Sequence, residues 1–181
     1  MKTKTIVICA IFAALMCVFS VITVPTGIIP ITLGTLGIML TAVILGPKKG
    51  AVSVAVFILL GAVGLPVFSG FKGGIQVIFG PTGGYIWSYI PMAIIIGLFS
   101  AKLPEQKAVA MLKMFAGCIV GMIICYALGT VQFMIVQKMG LIKSLSACVI
   151  PFIPFDIAKA VLASYLGFTI RAALQKARLL D

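Results

Sequence analysis

Histidine is absent from this 181-residue chain, and only three of its side chains are acidic: Glu105, Asp156 and Asp181. Without histidine the sequence lacks the side chain that most often acts as a general base near neutral pH and as a zinc ligand. Only one carboxylate lies within an apolar segment, so the acid–base pair of a typical hydrolase cannot be assembled. There is no GxxxxGK[ST] phosphate loop, and the glycines occupy no strand–GxGxxG–helix context, which excludes those nucleotide-binding routes. The five cysteines (Cys9, Cys17, Cys118, Cys125 and Cys148) fall in apolar stretches with no CxxC spacing. They read as small apolar packing residues, not as a zinc site or a disulfide framework. No enzyme is legible here; binding or transport is the class that remains, and it calls for no cofactor or metal.

Charge is scarce as well. Charged residues make up 9% of the chain and hydrophobic ones 62%, against roughly 25% charged in ordinary soluble domains. This is the composition of an integral membrane protein. The length suits a single membrane domain over residues 1–181, an all-α bundle of about six helices of roughly 20 residues each. The net charge of +11 raises the question of nucleic acid. However, the basic residues are scattered at segment ends without interleaved aromatics, so the partner is the lipid bilayer and not nucleic acid.

Apolar runs bounded by Gly, Pro and charge predict spans over residues 5–24, 31–45, 50–65, 83–101, 108–137 and 151–173. The first follows Met1-Lys2-Thr3-Lys4 like a signal peptide, but it is membrane-length and lacks a small-residue cleavage site, so it reads as a retained helix. The second and third are short for a bilayer core, and the fifth must tilt or project beyond it. Loop charges set the orientation. Lys2, Lys4, Lys48, Lys49, Lys102, Lys107, Lys113, Arg171, Lys176 and Arg178 fall on one side, against Lys72, Lys138 and Lys143 on the other. Ten against three predicts both termini in the cytoplasm.

Asp156 is the one embedded carboxylate, and Lys159 follows three residues later. An ionised group near the bilayer core costs about 2.5–3.5 kcal/mol on insertion scales, which makes such residues rare and usually functional. At i, i+3 the two share a helix face and can pair; the same spacing also fits a purely structural ion pair. Fifteen residues separate Asp156 from Arg171, roughly 22 Å of helix. With Arg171 at the cytoplasmic surface, Asp156 lies in the outer half of the bilayer. The long connections 25–30 and 69–82 open on that same outer side, and the three features converge on one external pocket.

Residues 64–85 are rich in glycine yet retain Phe68, Phe71, Phe79 and Tyr85, unlike a flexible linker. Glycines allow close backbone approach and aromatics supply flat apolar contact, so the segment suits either a ligand-binding loop or a tight re-entrant turn. Gly80-Pro81-Thr82-Gly83-Gly84 then presents free backbone N–H groups at the start of a helix. On the first span, Ala10 and Ala14 lie four apart, a small-residue pattern that lets another helix approach, whether internal or from a partner.

Several of these stretches resemble one known family, the BioY family of biotin-specific substrate-binding (S) components of energy-coupling factor transporters. The most specific are Gly61-Ala62-Val63-Gly64-Leu65-Pro66-Val67-Phe68 and Gly80-Pro81-Thr82-Gly83-Gly84-Tyr85. Pro30-Ile31-Thr32-Leu33-Gly34-Thr35-Leu36-Gly37, the Leu45-Gly46-Pro47-Lys48-Lys49-Gly50 turn and the segment from Pro151 to Lys159 also fit. Members often carry Gln where this chain has Gly34. The resemblance implies a six-helix S component of a bacterial cell membrane that captures biotin from outside. It also implies an energy-coupling module of one transmembrane coupling protein and two cytoplasmic ATPase subunits. Ala10 and Ala14 would then face the coupling protein, and the S component would topple to carry its ligand inward. Asp156 and Lys159 would hold the ligand's polar groups, Tyr85 and Phe71 would cover its apolar body, and Gly73, Thr82 and Gly83 would approach it from the loop. Two alternatives compete: a proton-coupled secondary carrier with Asp156 as relay, for which no internal symmetry between the halves is visible, and a non-transporting membrane scaffold.

Overall fold

Lipid offers the backbone no hydrogen-bond partners, so apolar segments that cross it must satisfy their own N–H and C=O groups as helices. The computed structural model describes residues 3–24, 30–177 and 179. Among these the elements are α1 (Thr3–Val21), β1 (Thr23–Val24), β2 (Ile31–Thr32), α2 (Gly34–Ala62), α3 (Ile75–Ile78), α4 (Gly83–Ala101), α5 (Lys107–Gln137), α6 (Leu141–Cys148) and α7 (Ile153–Lys176). The five long helices α1, α2, α4, α5 and α7 are each long and apolar enough to cross a membrane. The predicted ends of α4 and α5 agree to within one residue; α1 ends three residues earlier than expected, and α7 runs three further.

Two predicted spans, 31–45 and 50–65, occur as the limbs of α2. Gly46 interrupts the helix at φ 77°, ψ −175°, a conformation that glycine alone adopts without strain, and Pro47 follows it. A Cβ added to Gly50 would lie 3.2 Å from the Cα of Ala42, whereas eight residues of straight helix span about 12 Å. The chain has therefore doubled back, and the limbs form a hairpin. The bend nestles against α4, where a Cβ on Gly97 would collide with the Pro47 backbone. Every residue from 36 to 46 is buried, as expected of a helix that is apolar all round and sits at the centre of a bundle. Helices α1, α4 and α7 surround it. The outer faces carry exposed Ile11 and Val18 on α1, Ile123 and Val131 on α5, and Val161 and Leu162 on α7, surfaces suited to lipid.

Two features were not legible beforehand. The connection expected to be irregular after α1 opens and closes with a short antiparallel ribbon, Thr23 opposite Thr32 and Val24 opposite Ile31; its residues 25–29 lie outside the described residues. An eight-residue helix, α6, also separates α5 from α7.

Several of the basic residues gather at one end. Pro47 has no N–H to return to the carbonyl of Val43; instead Arg171 Nη1 donates to Val43 O at 3.0 Å and to Ser100 O, in the last turn of α4, at 2.6 Å. Lys113 Nζ donates to Lys102 O at 2.7 Å, and Lys107 Nζ lies over the rings of Tyr165 and Phe168 at 5.6 and 5.9 Å. The α2 bend, the α4–α5 connection and the C-terminal half of α7 thus share one end of the bundle. Lys2 and Arg178, which enter the charge count, lie outside the described residues.

Candidate ligand-binding site

At the opposite end, α7 starts with Pro154 in its first turn, where a fixed φ suits the helix and no N–H is needed. Asp156 also falls in that first turn, where the helix dipole favours a carboxylate. Lys159 Nζ donates to Asp156 Oδ1 at 2.7 Å, and the two residues are 8% and 3% exposed respectively. A buried pair is tolerable only when most of its remaining hydrogen-bond capacity is met, and here all but one lone pair is. Lys159 also donates to Thr32 O at 2.7 Å and to Thr35 Oγ1 at 3.0 Å. Thr35 Oγ1 donates in turn to Asp156 Oδ1 at 3.2 Å, and the Tyr126 hydroxyl donates to Oδ2 at 2.6 Å. All three ammonium protons are engaged, while Oδ2 keeps a lone pair to spare.

This network lies in the wall of a cavity of about 150 Å³. That is room for roughly ten water-sized spheres, the scale of a small organic solute and not of an ion. Its apolar walls come from Met92 of α4 and Met122 of α5, with Tyr85, Tyr89 and Tyr126 adding amphipathic rings. Cys125 and Cys148 line it too, and Phe68, Ser69 and Lys72 close it from the α2–α3 loop. Tyr85 is held by a 3.4 Å contact between its hydroxyl and Thr130 Oγ1. A mostly apolar chamber with a few convergent polar groups at one place is what a small-molecule site looks like.

Of the residues singled out in the sequence, Asp156, Lys159, Tyr85 and Thr82 line this one cavity. Phe71, Gly73 and Gly83 do not. Phe71 is 70% exposed on the α2–α3 loop, at a positive φ of 56°. Gly73 packs on the Leu65 carbonyl, and Gly83 is wedged between the Ile78 carbonyl and Gln132. The loop itself is fastened: Gly74 N donates to Gly61 O at 2.7 Å, and Gln132 Nε2 donates to Ile78 O at 3.0 Å and Gly80 O at 2.9 Å. Ala10 and Ala14 are exposed on the outside of α1, whereas Ala13 beside them is buried. Gly34 offers its backbone N–H, which donates to Thr32 Oγ1 at 2.9 Å.

Thr35 and Tyr126 were missed. Thr35 sits within the Pro30 to Gly37 motif, where nothing in the sequence sets its hydroxyl apart from that of Thr32. Tyr126 was the better signal: a phenol in the middle of a long apolar span, far from either interface, where tyrosine ordinarily gathers.

Comparison with known proteins gives a consistent result. The chain is 39% identical over 161 residues to the "Biotin transporter BioY" of Thermotoga maritima, covering 89% of this chain and 92% of that one. It is 34% identical to the protein of the same name from Rhodobacter capsulatus, covering 92% and 93%. Its fold matches a crystal structure of the S-component for biotin from an ECF-type ABC transporter, with a TM-score of 0.84 and 30% identity over 94% of this chain and 92% of that one. The BioY family model matches residues 1–176, and the chain belongs to the BioY family.

Proposed function

We propose that this protein is the biotin-capturing S component of an ATP-driven energy-coupling factor importer, and that it holds biotin in the cavity bordered by Asp156 and Lys159. The observation that carries this reading is the buried, hydrogen-bonded Asp156–Lys159 pair in the wall of a largely apolar cavity. Biotin has a ureido ring with two N–H donors and one carbonyl, an apolar thiolane and chain, and a carboxylate tail. The spare lone pair on Asp156 Oδ2 accepts a ureido N–H. Lys159 turns one proton from Thr35 to the ureido carbonyl. Such charge-assisted bonds are about twice as strong as neutral ones. Tyr85 covers the apolar body and Thr82 adds its hydroxyl. Gly73 and Gly83 seat the loop closely, and Phe71 is carried on that same loop.

The limbs of α2 count as two crossings, so the bundle crosses the membrane six times, with long outer loops between its first and second and its third and fourth spans. The end of the bundle rich in lysine and arginine faces the cytoplasm, as cytoplasmic loops carry the excess of basic residues. Both termini are cytoplasmic and the cavity faces out, in a bacterial cell membrane. Nothing in the sequence supplies ATP hydrolysis by a phosphate loop, so energy comes from the partners: one transmembrane coupling protein, docked on the exposed Ala10 and Ala14 of α1, and two ATPase subunits. Equilibrium binding of radiolabelled biotin to the purified chain tests the proposal. Saturable, competable binding supports it, whereas its absence from folded protein points to the proton-coupled carrier or the scaffold.

A further inference from the structure

The cavity is lined by two cations, Lys72 and Lys159, and by a single acidic group, Asp156. They are not equivalent. Lys159 spends its three protons on Asp156, Thr32 and Thr35, and the Asp156 carboxylate beside it repels a second anion. Lys72 Nζ, by contrast, has no partner among the described residues, although its backbone is fixed by paired bonds with Phe68 at 2.9 and 3.3 Å. Phe68 is itself buried and packed edge-on against Phe57, with ring centroids 5.7 Å apart. Between them lies Ser69, whose Oγ is the one buried side-chain polar atom without a hydrogen-bond partner among the described residues, and which lines the same cavity. Buried hydroxyls are nearly always paired, and an acceptor atom of a ligand in the cavity would supply the partner that Ser69 lacks.

Resting on the biotin reading above, we propose that Ser69 and Lys72 form the subsite for the ligand's carboxylate, leaving Asp156 and Lys159 for its neutral ureido head. The loop then reads the tail by charge and by one hydroxyl donor, while α7 reads the head by a donor–acceptor pair. The chain consequently selects for a free carboxylate: a ligand whose tail is capped as an uncharged amide keeps the head contacts and loses the loop contacts.

The test compares equilibrium affinities of the purified full-length protein for biotin and for its primary amide. Wild type is expected to prefer biotin by about tenfold or more. Lys72→Gln is expected to weaken biotin by a similar factor, leave the amide within about twofold, and so erase the preference. Ser69→Ala is expected to move biotin the same way by a smaller factor. Lys72 is exposed on a loop, so its variant is not expected to compromise the core. Equal binding of both ligands by wild type, or a Lys72→Gln variant that weakens both equally, overturns the proposal alone. Failure of wild type to bind either ligand overturns the biotin reading, and this proposal with it.

Discussion

The Tyr126 hydroxyl donates to Asp156 Oδ2 at 2.6 Å, tying the middle of α5 to the first turn of α7. The bond does for one carboxylate oxygen what Lys159 and Thr35 do for the other. Together they allow an ionised carboxylate to sit 3% exposed between helices without leaving a buried charge uncompensated.

Tyr126→Phe keeps the ring and removes the donor. Hydrogen bonds to charged groups contribute about 1.5–3 kcal/mol, so the variant is expected to melt at a lower temperature in detergent and to bind biotin more weakly. Thermal unfolding followed by intrinsic fluorescence reads the first effect. A melting temperature equal to wild type would show that the bond contributes nothing to holding α5 against α7.

At the other end, Arg171 joins the α2 bend to the end of α4. Arg171→Ala strips both Val43 and Ser100 of this donor, and an unsatisfied buried acceptor costs about 1–3 kcal/mol. A lowered melting temperature is expected with biotin affinity per folded molecule within about twofold of wild type, since the cavity lies at the far end. Loss of affinity in a variant of unchanged stability would contradict this separation.

The long helices were legible because their residues are apolar over membrane length, and the α2 bend was legible from Gly46 and Pro47 as a gap between two short spans. The α1–α2 ribbon was not, because two residues per strand are too few to show an alternation. Helix α6 was not, because eight residues carrying Lys143, Ser144 and Ser146 look like a polar loop. The site divided in the same way. Asp156 and Lys159 stand out in any reading because charge inside lipid is costly, and Tyr85 and Thr82 follow from the loop that leads to them. Thr35 declares itself only through a tertiary contact across 121 residues, and Tyr126, marked in the sequence by its place inside an apolar span, acquires its partner only through one across 30. Phe71 entered through the family resemblance, and it stands exposed on the α2–α3 loop, outside the cavity lining.

Ala10 and Ala14 are exposed on α1, where Trp side chains would block close approach of another helix. Replacing both with Trp is expected to abolish co-purification with the energy-coupling module and to leave biotin binding unchanged. Loss of both together would place these alanines in the internal packing of the bundle.

Uptake in vesicles bearing the complete transporter is expected to require ATP and to survive an uncoupler while ATP is clamped. A carrier that used Asp156 as a proton relay would stop when the gradient collapsed. Gradient-driven uptake by this chain alone, with no ATPase present, would contradict the mechanism.

The most direct test is the equilibrium affinity of purified wild type and Asp156→Ala for biotin, with Asp156→Asn as the control that keeps one acceptor oxygen. If the carboxylate grips the ureido ring, Asp156→Ala loses at least about 2 kcal/mol, roughly thirtyfold, and Asp156→Asn loses less. A folded Asp156→Ala protein that binds biotin as tightly as wild type would contradict the assignment of this cavity as the biotin site.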